Sequence, residues 1–205
     1  MDTTIRNLSH GKRSLDDFAK LFYGMDDGSY VTKTYTYDDL ASALNRVQPY
    51  DWNRFLRQRL DYTGNELPEH GIDNAGWKLV YDDTPSAFEK SIEKLHPGIN
   101  LSNSLGISVS NDGTIRDVQW SSVAAKSGLV PNLGIVAING KSFTPDVLKD
   151  AIIDAHRNGT MIQMLVKNND QFGNVSVDYR DGLKYPHLVR GQGKDLLEDI
   201  VMPKK

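Results

Sequence analysis

The segment from Ser104 to Gly140 limits the fold of this chain more than any other part of it. It opens with Ser104-Leu105-Gly106-Ile107-Ser108-Val109, turns at Asn111-Asp112-Gly113, and continues as the apolar run Thr114-Ile115-Arg116-Asp117-Val118. The small-residue stretch Ser122-Val123-Ala124-Ala125-Lys126-Ser127-Gly128-Leu129 follows, and then Gly134-Ile135-Val136-Ala137-Ile138-Asn139-Gly140. Apolar runs of strand length bounded by Asn, Asp and Gly predict short strands joined by tight turns, here interrupted by one short helix.

Downstream, Thr144-Pro145-Asp146 places a capping hydroxyl ahead of proline at the first helical position. Val147, Leu148, Ala151, Ile152 and Ala155 recur at helical spacing until Asn158-Gly159 ends the helix. Met161 to Val166 and Asn174 to Tyr179 read as a hairpin across a loop containing Asp170 and Gly173. The order from about residue 99 to 180 is strand, strand, short helix, strand, helix, strand, strand.

The first 60 residues carry a different period. Ser14-Leu15-Asp16-Asp17 and Thr36-Tyr37-Asp38-Asp39 each set a hydroxyl three residues before a carboxylate, a close variant of the capping box. Leu15, Phe18, Ala19 and Phe22 follow the first cap up to Gly24, and Leu40, Ala43, Leu44 and Val47 follow the second. After Pro49, the stripe Trp52, Phe55, Leu56 and Leu60 marks a third helix, all four read as core. The acidic turn at Asp26-Asp27-Gly28 lacks the ligand spacing of a calcium loop and reads as a solvated turn. Residues 61–76 form a polar connector, Gly76 to Tyr81 alternates as a strand, and Ser86 to Leu95 suits a short helix or an ordered loop ending at Pro97-Gly98.

Charge and composition exclude several roles. Of the 205 residues, basic and acidic side chains nearly balance at a net charge of −3, with no basic cluster, so neither nucleic acid nor a membrane surface is expected as a partner. Cysteine is absent, which removes disulfides and thiolate chemistry. No apolar run approaches the roughly 20 residues that span a bilayer, and Met1 to Arg6 has no signal-peptide core. A soluble protein is expected; its compartment is not fixed by the sequence.

The Ser104–Gly140 segment resembles the first two thirds of a PDZ domain, with its x-Leu-Gly-Ile loop, its S-x-A-A-x-x-G-L helix and its apolar-Asn-Gly strand end. The fold class expected is therefore α+β, an N-terminal helical segment followed by a PDZ-like β-sandwich or partly open barrel with two helices. The resemblance implies that backbone N–H groups of Ser104, Leu105, Gly106 and Ile107 turn inward to hold a peptide carboxylate. Ser108 and Val109 would then offer a free strand edge to an extended peptide. Leu148 stands where some PDZ domains use histidine to bind a ligand hydroxyl, and Ile152 lies one turn on; both favour apolar ligand ends. Two roles stay open for this groove: it binds peptide or protein C-termini, or it is filled by the chain itself and acts as a packing module.

Further segments extend the resemblance to the C-terminal part of the glycyl-aminopeptidase family of zinc metallopeptidases. They are Lys12 to Phe18 with Tyr23-Gly24, Thr36 to Leu40, Leu67-Pro68, Leu79-Val80-Tyr81 and Gly182 to Leu188. The implied organisation is a helical segment at 1–70 ending the catalytic domain, a connector with one strand at 71–98, a PDZ domain at 99–182 and a tail at 183–205. The zinc of that family belongs to a His-Glu-x-x-His helix, which this chain lacks. His10, His70, His96, His156 and His187 are not at metal-ligand spacing, and Glu69-His70 runs in the reverse order. No Gly-x-Ser-x-Gly elbow occurs either. The resemblance thus implies a non-catalytic fragment with no cofactor of its own, zinc residing in a missing catalytic domain. That domain becomes a possible docking partner, and residues 1–60 a possible surface for self-association. A free-standing PDZ adaptor is the competing reading. Trp52, Trp77 and Trp120 read as core or interface, and Lys204-Lys205 as a frayed end.

Overall fold

In a computed structural model, which describes residues 1–64 and 69–203, both capping boxes are formed. Ser14 N–H donates to Asp17 at 2.8 Å and the Ser14 hydroxyl accepts from Asp16 N–H at 3.2 Å. Thr36 N–H donates to Asp39 at 2.8 Å while the Thr36 hydroxyl accepts from Asp39 N–H at 3.2 Å. Each pair satisfies backbone donors that the first helical turn leaves unpaired. These caps open α2 (Leu15–Tyr23) and α3 (Tyr37–Val47), which α1 (Asp2–Leu8) precedes and α4 (Trp52–Leu60) follows. Their apolar stripes meet around Ile5, Phe18, Phe22, Leu44, Trp52 and Phe55. Trp52 is fully buried, its indole N–H donated to Gln48 O at 2.8 Å. Leu60, expected in this core, is 68% exposed: it is the last residue of α4, and the stripe stops at Leu56.

The chain divides into two units, Met1–Leu79 with Leu188–Lys205, and Val80–His187. The first unit is therefore discontinuous in sequence. Besides α1 to α4 it holds α5 (His70–Asp73) and the C-terminal α9 (Leu196–Val201). Leu196 N–H donates to Ala75 O at 3.1 Å, and the Trp77 indole N–H donates to Asp195 at 2.9 Å, with the Arg190 guanidinium over the Trp77 ring. The chain passes between the units in β1 (Trp77–Asp82) and returns in β9 (Tyr185–Arg190), which pair as a two-stranded sheet. Leu67-Pro68 and Lys204-Lys205 lie outside the described residues.

The second unit begins with α6 (Ala87–Leu95), then β2 (Gly98–Leu101), β3 (Ile107–Ser110), β4 (Ile115–Val118) and α7 (Val123–Lys126). It continues with β5 (Gly134–Ile138), β6 (Lys141–Ser142), α8 (Pro145–Asn158), β7 (Ile162–Asn168) and β8 (Gln171–Val177). Two antiparallel sheets result, ordered β2-β3-β4 and β6-β5-β7-β8, and neither closes into a barrel. The class is α+β, and the expected element order is present, with β2 added ahead of it and the short β6 after β5. Thr144 caps α8, with Pro145 in its first turn, and Leu148, Ala151, Ile152 and Ala155 fall on its buried face. The β7–β8 hairpin is tighter than the sequence suggested. Asn168 pairs with Gln171 around a two-residue turn, so Gly173 lies within β8, opposite Val166. Trp120 is 94% exposed and takes no part in any core.

Candidate functional site

The loop 102–106 joins β2 to β3, and its shape depends on Gly106. With φ at +82°, a Cβ there would also meet Ser122 Cβ at 2.2 Å, so both the backbone and the space demand glycine. The loop is fixed from several sides. Ala124 N–H donates to Leu105 O at 3.1 Å and Gln119 N–H to Gly106 O at 2.8 Å. The Ser104 hydroxyl accepts from Lys184 N–H at 3.1 Å, which ties the loop to the segment before β9.

Two of the four donors expected to turn inward already have a partner. Ser104 N–H and Gly106 N–H both donate to the carbonyl of Leu101, at 3.0 and 2.9 Å. A peptide carboxylate was expected to receive such donors; here the chain's own carbonyl does. The strand edge is likewise taken. β3 pairs with β4 on one side and with β2 on the other, in the register Gly98↔Ser110, Ile99↔Val109, Asn100↔Ser108 and Leu101↔Ile107. β2 runs antiparallel to β3 with its C-terminal end at the loop, the direction an added peptide would take.

The structure brings five of the eight candidate residues into one cluster. Leu105, Ile107, Val109, Leu148 and Ile152 share a core with Ile99 and Leu101, and Leu148 and Ile152 are 0% exposed. Ser104 and Ser108 stand apart: Ser104 holds Lys184, and the Ser108 hydroxyl donates to Asp117 at 3.0 Å on the other face of the sheet. Gly106 supplies backbone only. The segment that sequence reasoning missed is Gly98-Ile99-Asn100-Leu101, in which Ile99 and Leu101 are buried and Asn100 is exposed. This apolar-x-apolar pattern matches what Leu148 and Ile152 were expected to favour. Four alternating residues after Pro97-Gly98 were its only signal.

Two tyrosines border this core. Burial pushes the Tyr179 phenol up to about 12, with Asp181 adding to the shift and the Ser104 hydroxyl opposing it. Tyr179 donates to Gly182 O at 2.9 Å. Burial also pushes Tyr185 up to about 12, helped by the negative charges of Glu93 and Glu89. His187 sits 3.0 Å from an Asp82 carboxylate oxygen and 2.8 Å from Thr84 O. Among the described residues no group of three His, Cys, Asp or Glu side chains gathers to hold a metal ion.

No family model and no curated protein matches the chain. Among solved structures, the crystal structure of an aminopeptidase N family protein from Idiomarina loihiensis matches 98% of this chain at 17% identity, with a TM-score of 0.67. The match covers 34% of that protein, so this chain spans about a third of its length. The HtrA3 PDZ domain bound to a phage-derived ligand aligns with 57% of this chain and 93% of its own, at 14% identity and a TM-score of 0.28, an overlap too low to build on. The chain thus shares its fold, over nearly its whole length, with part of an aminopeptidase N family protein.

Proposed function

We propose that this chain is the non-catalytic portion of an aminopeptidase-like protein, its PDZ-like unit serving as a docking module for a zinc-bearing catalytic portion. The observation that carries this reading is the occupied edge of β3. A receptor for free chain ends needs unpaired donors and an unpaired strand edge. Here the donors of Ser104 and Gly106 are spent on Leu101, and β2 fills the edge. A free-standing adaptor that binds protein C-termini would need both to be free, and is the weaker reading for that reason.

Two further observations support the proposal. The fold is shared with about a third of a larger aminopeptidase N family protein. The helical unit also leaves Tyr23, Tyr30, Val31 and Tyr35 exposed around the connection between α2 and α3, apolar surface of the kind a partner covers. The complete protein would then carry zinc on a His-Glu-x-x-His helix outside this sequence. Removal of small N-terminal residues such as glycine would be its activity.

The reading frame around the coding segment tests the first half of the proposal: an in-frame His-Glu-x-x-His is expected, and its absence would sink it. The second half is tested by fluorescence anisotropy with labelled peptides ending in Val-x-Val and Thr-x-Val. The intact chain is expected to show no saturation below about 1 mM, whereas a dissociation constant of about 10 μM or tighter would restore the adaptor reading.

A further inference from the structure

We propose that Gly98–Leu101 is a displaceable internal ligand, so that the groove beneath it is a latent site for extended peptides ending in an apolar-x-apolar sequence. This rests on the reading of β3 and α8 as a peptide-type groove filled by the chain itself. Three features distinguish β2 from an ordinary structural strand.

First, β2 imitates a ligand in direction, side-chain pattern and terminal contacts. Ile99 and Leu101 enter the core shared with Leu148 and Ile152, and the Leu101 carbonyl sits on the two loop donors. Second, the arm that leads into β2 is weakly held. No residue of α6 is fully buried, and Phe88 and Leu95 at its two ends are about 70% exposed, at 70% and 72%. Besides β2 itself, two polar contacts among the described residues restrain the arm: Glu93 with Lys149 of α8 at 3.4 Å, and the Arg116 guanidinium donating to Pro97 O at 2.9 Å. A segment with few buried contacts opens at less cost than the core it covers. Third, β2 is only four residues long and enters through Gly98, whose φ is +146°. A Cβ on Gly98 would lie 2.5 Å from Val109 O, so glycine alone lets the arm reach this edge.

The short loop 102–106 keeps β2 at a high effective concentration, on the order of millimolar or above. An outside peptide must compete with that. If the groove is open about 1% of the time, the apparent affinity of any external ligand falls about 100-fold. The site is therefore silent to ordinary peptide concentrations until the arm is pulled away.

The test uses the full chain and its Gly98→Val variant, probed with labelled Gly-Ile-Asn-Leu bearing either a free carboxylate or a terminal amide. The wild type is expected to bind weakly. Gly98→Val should bind the free acid at least about tenfold tighter, and tighter than the amide. Ile99→Ser, which removes the anchor and spares the backbone, is the second variant and should act in the same direction. If a variant retains its circular dichroism and loses β3 amide protection yet binds no better than the wild type, the latent-site proposal fails while the docking role stands. Should wild type and variants bind equally tightly, the filled-groove reading fails as well. If neither variant folds, β2 is an obligatory strand and the proposal is overturned.

Discussion

Ser104 shows how far one side chain's role can shift when its surroundings are known. Placed by sequence among backbone donors for a ligand, its amide does donate inward, yet the acceptor is Leu101, and its hydroxyl reaches the Lys184 amide instead. That hydroxyl also meets the Tyr179 phenol, one of two tyrosines whose burial gives the second unit an alkaline weakness. The ordinary phenol value is about 10, and in the folded protein both are raised to about 12. Between these limits the unfolded chain has released the protons that the native protein retains, so stability falls with rising pH. The contribution is whole below pH 10 and lost by about 12, roughly 2–3 kcal/mol for each tyrosine. Denaturant unfolding at pH 8 and pH 11 is expected to show this loss. Tyr185→Phe should reduce it, and an unchanged pH slope in that variant would refute the assignment.

Helices and strands differ in how well they could be read from sequence. The capping boxes at Ser14 and Thr36 were legible because their donors and acceptors are three residues apart, and so was α8, whose cap, proline and buried face lie within one segment. Ser14→Ala and Thr36→Ala should each cost about 1 kcal/mol, measurable by urea denaturation, with Ser14→Asp recovering most of the loss. β2 was not legible as an occupant of the groove, because a four-residue alternation does not say which edge it joins. That choice is fixed by Val109 and Ser110, about ten residues away in sequence. The same limit misplaced Gly173 in a loop and Leu60 in the core: periodicity sets the face of an element, and tertiary packing sets its extent. Unequal holding of the two β3 neighbours leads to a measurable asymmetry. β3 amides facing β2 are expected to exchange at least about tenfold faster than those facing β4; equal protection would show β2 to be as firmly held as β4.

For the whole chain, the discontinuity of the first unit matters more than any single contact. Truncation after His187 removes no residue of its helices α1 to α5, yet it takes away Arg190, Asp195 and Leu196, which hold Trp77, Gly76 and Ala75. The loss of buried Leu196 and at least four hydrogen bonds, one of them from Gly191 N–H to Gly76 O, is expected to destabilise this unit by roughly 3–6 kcal/mol. The check is the urea unfolding midpoint followed by helical circular dichroism in the full and truncated chains; an unchanged midpoint would show α1 to α5 to be self-sufficient. The same arrangement sets an order of assembly. A ribosome delivers all of Val80–His187 before it delivers Leu196, so the second unit can finish folding while the first still waits for its closing segment. Of the two units, the one whose chain begins first is therefore the last to be completed, and chaperone capture of nascent chains should concentrate on it rather than on the second unit.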